Sequence, residues 1–388
     1  MNAMANPMTL NDGFRCCLLV LVLAGCGGTG IVDEEMVDPA LAAHLQAINE
    51  MVDRWIDNQE VVGTEYVIIQ KGEIVLHEAR GWRDREAERP MELNTIFQVR
   101  SMTKPVLATG VLLLVSEGLL DLEDRVSQHL LSFSSSPVTI RQLLTRTDGF
   151  TRTPFNAFNF PSLRDAVNEL GRLGPDVQPG TVFSRDGTDS WTLGAIVQEV
   201  SEMKVEDFLQ QRVLSAVGMT GDTYVELKEN DTWRSRLSAV YQRSESGDFL
   251  LTWSTQRASP FKFFPASAGI YTTPLEYAKF LALWMNEGRI GSTQFIPQTL
   301  VDEALILEPL SIEQATPFGT TPYGMHWDLG PGVLQQGTGI ASFGHPGADG
   351  TIGWVVPERE LLILYFTQSR GGRTHFQFVE EVIRRLAQ

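Results

Sequence analysis

Residues 100–105 read RSMTKP and stand directly before PVLATGVLLLVSEG (105–118), a stretch apolar nearly all round. The pattern predicts a buried helix closed by Gly118, with Ser101 at its N-cap and Pro105 in its first turn. Ser101 and Lys104 are three apart, so hydroxyl and amine share one helix face. A helix N-terminus offers unpaired N–H groups and positive potential. Two readings follow. Ser101 is an ordinary cap, or it is a nucleophile with Lys104 as its base. Only six of the 31 basic residues are lysines (Lys71, Lys104, Lys204, Lys228, Lys262 and Lys279). A chain that otherwise uses arginine has lysine here, and a buried lysine loses proton affinity and can become a base near neutral pH.

Outward from that stretch, the pattern changes at both ends of the chain. Asp38-Pro39 supplies a cap and a proline at the first helical position, and Leu41, Leu45, Ile48, Val52 and Trp55 follow at helical spacing. EYVIIQKGEIVLHEARGW predicts a hairpin turning at Lys71-Gly72. Near the C-terminus GTIGWVV and ELLILYFTQ flank Pro357-Glu358 as a second strand pair, and HFQFVEEVIRRLAQ is an amphipathic helix. The middle, to about residue 260, carries mostly helical patterns. This predicts an α/β (α+β) architecture: an antiparallel sheet flanked by helices from both chain ends, about 39–98 and 262–388, with a mainly helical lobe inserted at about 99–261. A ligand cleft belongs between two such lobes.

TIFQVRSMTKPV resembles the nucleophile region of the serine β-lactamase and penicillin-binding-protein superfamily, an S-x-x-K system. The likeness is greatest to its class C-like branch, with the family VIII carboxylesterases and related peptidases. Further matches run in order: VLLLVSEGLLDLEDRVSQHL, TIRQLLTRTDGF, PGTVF, TLGAIVQEVS, VLSAVGMTGDT, SAGIYTTPLEYAKFL and FGHPGADGTIGWVVPERELLILYFTQ. They cover the chain from about residue 60 to its end. The resemblance implies the β-lactamase/transpeptidase-like fold and an acyl-enzyme on Ser101, with Lys104 as base. It places His345-Pro346-Gly347 at the family's third motif, where Gly347 lets substrate approach and His345 assists proton transfer or carboxylate binding. It assigns the oxyanion hole to the N–H groups of Ser101 and Ala348. Pro346 lacks the hydroxyl of the β-lactamase pattern, which favours small esters, then D-amino-acid peptides, over β-lactams.

The pattern also breaks. In PGTVFSRDGTDSWTLG the family's catalytic tyrosine position holds Arg185, and arginine stays protonated. Arg146 and Asp148 stand where histidine and serine are usual, and Arg100 where a small residue is common. Three explanations are open. Lys104 acts alone, its pKa lowered by Arg185; the cleft is re-charged for another, anionic substrate; or catalysis is lost and an envelope protein binds cell-wall or acyl ligands in the old cleft. The bland reading of Arg185 and Asp148 is an ion pair between neighbouring loops.

The formal net charge is −17 over 388 residues, with no basic face for nucleic acid. There is no G-x-S-x-G elbow, and the six histidines show no H-E-x-x-H and no metal-ligand clustering. Asp186, Gly187, Thr188 and Asp189 lack the spacing of a calcium loop and read as a turn. No metal and no organic cofactor is expected; the partner is a small ester, peptide or lactam. At the N-terminus, FRCCLLVLVLAGCGGTG places a short apolar run before Leu23-Ala24-Gly25-Cys26. This resembles a bacterial lipobox: signal peptide 1–25, lipid on Cys26, an acidic tether 26–38, and a hydrolase domain 39–388. Translation starts at Met1 or Met8. The expectation is an envelope protein held by a lipid anchor at the periplasmic face of a membrane, with no free thiol once Cys16 and Cys17 leave. Gly25, Gly27 and Gly30 match G-x-G-x-x-G but lack the βαβ context of a dinucleotide site.

Overall fold

The computed structural model describes residues 38–259, 262–313, 322–330 and 342–386. The expected signal peptide, Cys26 and the expected tether before Asp38 lie outside the described residues.

Asp38 caps helix α1 (Pro39–Asp57), its carboxylate accepting the Ala40 N–H at 3.0 Å. Ile48, Val52 and Trp55 of its apolar stripe are buried. The predicted hairpin is β1 (Gly63–Gln70) and β2 (Glu73–Asp84), and Lys71 and Gly72 both take positive φ, the two-residue turn that suits strand twist. The short β3 (Arg89–Pro90) extends it. The apolar stretch after the S-x-x-K residues is helix α2 (Thr103–Ser116), buried along three of its four turns. Gly118, at φ +71°, closes it: Gly118 N–H returns to Val115 O at 3.0 Å and Leu119 N–H to Leu114 O at 3.0 Å. Helices α3 (Ile140–Thr145), α4 (Leu163–Leu173) and α5 (Thr188–Ser201) follow, then α6 (Pro274–Met285).

The chain re-enters the sheet through β4 (Asp328–Leu329), β5 (Phe343–Pro346), β6 (Ile352–Val356) and β7 (Leu361–Thr367), and ends in α7 (Thr374–Leu386). The seven strands pair antiparallel in the order β4-β5-β6-β7-β1-β2-β3, so β1 lies beside β7 with Tyr66 opposite Tyr365. Successive side chains of a strand point to opposite faces. Tyr66, Ile68, Ile363 and Tyr365 pack under α1 and α7, together with Trp55 and Phe378. Val67, Leu362, Leu364 and Phe366 join the larger core, which runs through Met102, α6 and the central helices. The mixed α/β fold with a large antiparallel sheet flanked by helices is as expected. The middle of the chain is less purely helical than its pattern. Val240–Arg243 and Phe249–Trp253 pair antiparallel, and Ser369–Arg370 joins them in parallel. These strands of two to five residues, half exposed, leave no apolar alternation to read.

Candidate active site

The nucleophile turn is pinned from three sides. Val99 N–H donates to Ile270 O at 3.0 Å, Ile270 N–H donates to Thr103 Oγ1 at 3.2 Å, and the buried Tyr277 hydroxyl donates to Met102 O at 2.8 Å. Ser101 is not the N-cap of α2. It lies in a 3₁₀ turn (Arg100–Met102) ahead of the helix, Met102 holds the cap position, and neither turn has a side-chain cap hydrogen bond. The reading of Ser101 as a simple cap therefore fails. Its hydroxyl instead meets Lys104, with Nζ 3.2 Å from Oγ.

Lys104 is buried, and among the described residues no carboxylate closes an ion pair with it. Burial, reinforced by Arg146 and Arg185 and opposed by Asp189 and Asp186, pushes its pKa down to about 7. At neutral pH much of this lysine is an uncharged amine beside a serine hydroxyl.

Strand β5 and the turn after it face that pair. A Cβ on Gly347 would stand 2.5 Å from Val99 O and would overlap Thr351 Oγ1, so glycine alone lets this turn close on the nucleophile turn. Thr351 Oγ1 donates to Val99 O at 3.3 Å across the junction. Ala348 is exposed. Among the described residues neither the Ser101 N–H nor the Ala348 N–H is taken up by a hydrogen bond. Two backbone donors on abutting turns are thus available to a ligand oxygen.

His345 is placed at the site but holds its proton elsewhere. Its Nδ1 lies 2.8 Å from Pro346 O; a carbonyl only accepts, so Nδ1 carries the hydrogen. Its Nε2 then accepts from the Tyr323 hydroxyl at 3.4 Å. Burial, with Lys104 and Arg185, pushes its pKa well below that of free histidine. The imidazole is neutral with both nitrogens engaged inside the protein. The part in proton transfer that the resemblance implies for His345 requires one of these two hydrogen bonds to open.

Arg185 and Arg146 form a second wall of the site, close enough to Lys104 to act on its charge. Arg185 pairs with the buried Asp328 of β4, not with Asp148 as the bland reading expected, and its guanidinium lies 5.1 Å from the centre of the Tyr323 ring. Arg146 ends α3 at φ +63°, donates Nε–H to Ser184 O at 3.0 Å, and sits 3.0 Å from Asp189 Oδ2. Burial works against both charges, yet Asp189 raises the Arg146 pKa, and Arg146 with His326 and Lys104 holds Asp189 below its usual value. Asp148 has no such cation. Its Oδ1 accepts Phe150 N–H at 3.1 Å, and burial plus the Asp189 and Asp186 charges raise its pKa well above the usual carboxylate range, with Arg146 pulling the other way. Both guanidinium charges are matched by internal carboxylates. Asp186 leads into α5 and Asp189 lies in its first turn; among the described residues no cluster of three or more His, Cys, Asp or Glu side chains could hold a metal ion.

Sequence reasoning missed Tyr323, Asp328 and the pairing of Asp189. Each is separated from its partner by tens of residues or more, and no local pattern signals it.

The family model for Beta-lactamase matches residues 41–388. "Protein Rv1367c" of Mycobacterium tuberculosis is 25% identical over 360 residues, covering 79% of this chain and 85% of the relative. "Esterase EstB" of Burkholderia gladioli is 40% identical over 117 residues, covering 28% of this chain and 29% of the relative. A penicillin-binding protein homolog from Caulobacter crescentus superposes with a TM-score of 0.74 at 18% identity, covering 88% of this chain and 98% of that one.

Proposed function

The chain belongs to the beta-lactamase family, whose fold carries serine hydrolases, and from that premise we propose that it hydrolyses small esters through an acyl-enzyme on Ser101. The observation that carries this reading is the Ser101–Lys104 contact: a hydroxyl 3.2 Å from a buried amine whose pKa is about 7. As Ser101 Oγ attacks the acyl carbonyl, neutral Lys104 Nζ takes its proton. The N–H groups of Ser101 and Ala348 receive the carbonyl oxygen as it becomes an oxyanion. When the tetrahedral intermediate collapses, the Lys104 ammonium returns the proton to the leaving alkoxide. Water then attacks the acyl-enzyme, Lys104 accepts its proton, and the serine oxygen leaves as alkoxide and recovers a proton from the ammonium. No tyrosine is needed, because one amine near its own titration point serves each proton transfer in turn. D-amino-acid peptides and β-lactams are weaker candidates, since Pro346 offers no hydroxyl to a substrate carboxylate. Membrane attachment through lipid on Cys26 completes the proposal, on the sequence alone.

A second reading draws on the closed Arg185–Asp328 pair: a chain that keeps the fold and binds cell-wall or acyl ligands without reaction. Turnover of a short p-nitrophenyl ester, beside a chromogenic cephalosporin, separates the two. Ester turnover lost in Ser101→Ala supports the hydrolase. Turnover unchanged in Ser101→Ala, or absent in folded wild-type protein, contradicts it.

A further inference from the structure

Arg100 and Asp349 have no part in the proton transfers above, yet they lie at the joint on which the reaction rests. The oxyanion donors come from two separate pieces of chain: Ser101 from the turn before α2, and Ala348 from the turn after β5. Asp349 directly follows Ala348, and Arg100 directly precedes Ser101. Asp349 is fully buried, and both of its oxygens are engaged. Arg100 Nε donates to Oδ2 at 2.5 Å; Arg370 Nε donates to Oδ1 at 2.7 Å, with Arg370 Nη2 2.5 Å from the same oxygen. Arg370 stands in the short strand that follows β7 and pairs with Val240–Arg243, so the carboxylate ties the nucleophile turn to that small sheet.

The backbone shows what this tie holds in place. Arg100 sits at φ +48°, a left-handed conformation that non-glycine residues adopt only where surrounding contacts impose it. Gly347 N–H donates to Thr351 O at 2.6 Å and Gly350, at φ +103°, donates to Gly347 O at 2.9 Å, so the turn carrying Ala348 is itself tight. Two tight turns in contact are cross-linked by this ionic bridge, and each carries one of the two N–H groups.

We propose that Arg100 and Asp349, braced by Arg370, form a clamp that positions the two halves of the oxyanion hole, with Asp349 the positioning residue at its centre. The inference rests on the hydrolase reading of Ser101. Donors held ready for a developing charge act on the transition state rather than on ground-state binding. Loosening the clamp therefore lowers kcat and leaves KM nearly unchanged, which a general loss of structure would not do.

The test uses the full chain and a short p-nitrophenyl ester, with fluorophosphonate labelling of Ser101 measured on the same samples. Asp349→Asn keeps the shape and removes the charge. Arg100→Asn removes the guanidinium while keeping a residue that tolerates positive φ. Each is expected to lower kcat by ~10- to 100-fold with KM within about threefold, and to slow labelling in parallel. The double variant is expected to be no slower than the slower single one, since both break one contact. If Asp349→Asn keeps kcat and labelling rate within twofold of wild type, or if the two losses multiply, the clamp is wrong while the hydrolase reading stands. If folded wild-type protein neither labels nor turns over, the hydrolase reading falls and the clamp with it.

Discussion

The two walls of the cleft treat buried cations in opposite ways. On one wall Lys104 is buried beside a serine hydroxyl, among the described residues no carboxylate closes an ion pair with it, and its pKa falls to about 7. On the other, Arg146 is equally buried but has Asp189 at 3.0 Å, and its pKa rises instead. Arg185, paired with Asp328, belongs with Arg146. Burial alone does not decide whether a basic side chain stays charged; the partner does. The paired wall is built to hold charge, and the unpaired wall to give it up. On the proposed mechanism this difference gives Ser101 a base without the family's tyrosine, since burial first, and the Arg146 and Arg185 charges after it, lower the lysine pKa.

The comparison can be broken at the unpaired wall first. Lys104→Ala is expected to lower kcat/KM for the ester by ~10²- to 10⁴-fold, the range for loss of a positioned general base. Lys104→Arg should be as poor, because guanidinium does not deprotonate. A loss below tenfold in Lys104→Ala would move the base elsewhere. In the wild type, kcat/KM is expected to rise with pH through about 7 and level off above it, because Lys104 must first lose its proton. Below that point the fall approaches tenfold per pH unit. A profile flat between pH 5 and 9 would mean that Lys104 is not the base.

At the paired wall the effects are on stability. Arg185→Ala leaves the buried Asp328 carboxylate alone, and is expected to cost roughly 3 kcal/mol by denaturant titration. Adding Asp328→Asn should recover part of that loss, and no recovery would mean that the pair is not the cause. Lys104→Met acts with the opposite sign. Lys104 titrates lower in the folded chain than in the unfolded one, so its contribution is a penalty. That penalty is full below about pH 7 and fades as pH rises toward the unfolded value of 10.5. Removing the amine should therefore raise Tm at pH 7 by a few degrees and flatten its rise with pH, while activity is lost. A lower Tm for Lys104→Met would show that packing, not charge, dominates there.

These contrasts also mark what the sequence could disclose. The sheet and its flanking helices were legible because the apolar runs of β1, β2, β6 and β7 are punctuated by Lys71-Gly72 and Pro357-Glu358, and because α1 and α7 carry apolar residues at helical spacing. Ser101 and Lys104 were legible because they are three residues apart just ahead of a long apolar stretch. The paired wall was not. Arg185 meets Asp328 across 143 residues, Arg100 meets Asp349 across 249, and only the folded chain brings them together. His345 shows the same limit from the other side. Its motif was visible, but the direction of its proton depends on the Pro346 carbonyl and on Tyr323.

The most direct test of the account is intact mass after incubation with a fluorophosphonate at pH 8. The account predicts a single covalent adduct in the wild type, absent from Ser101→Ala, formed more slowly as pH drops below about 7. A folded wild-type protein that remains unmodified, or an adduct that persists in Ser101→Ala, would contradict the claim that Lys104 activates Ser101.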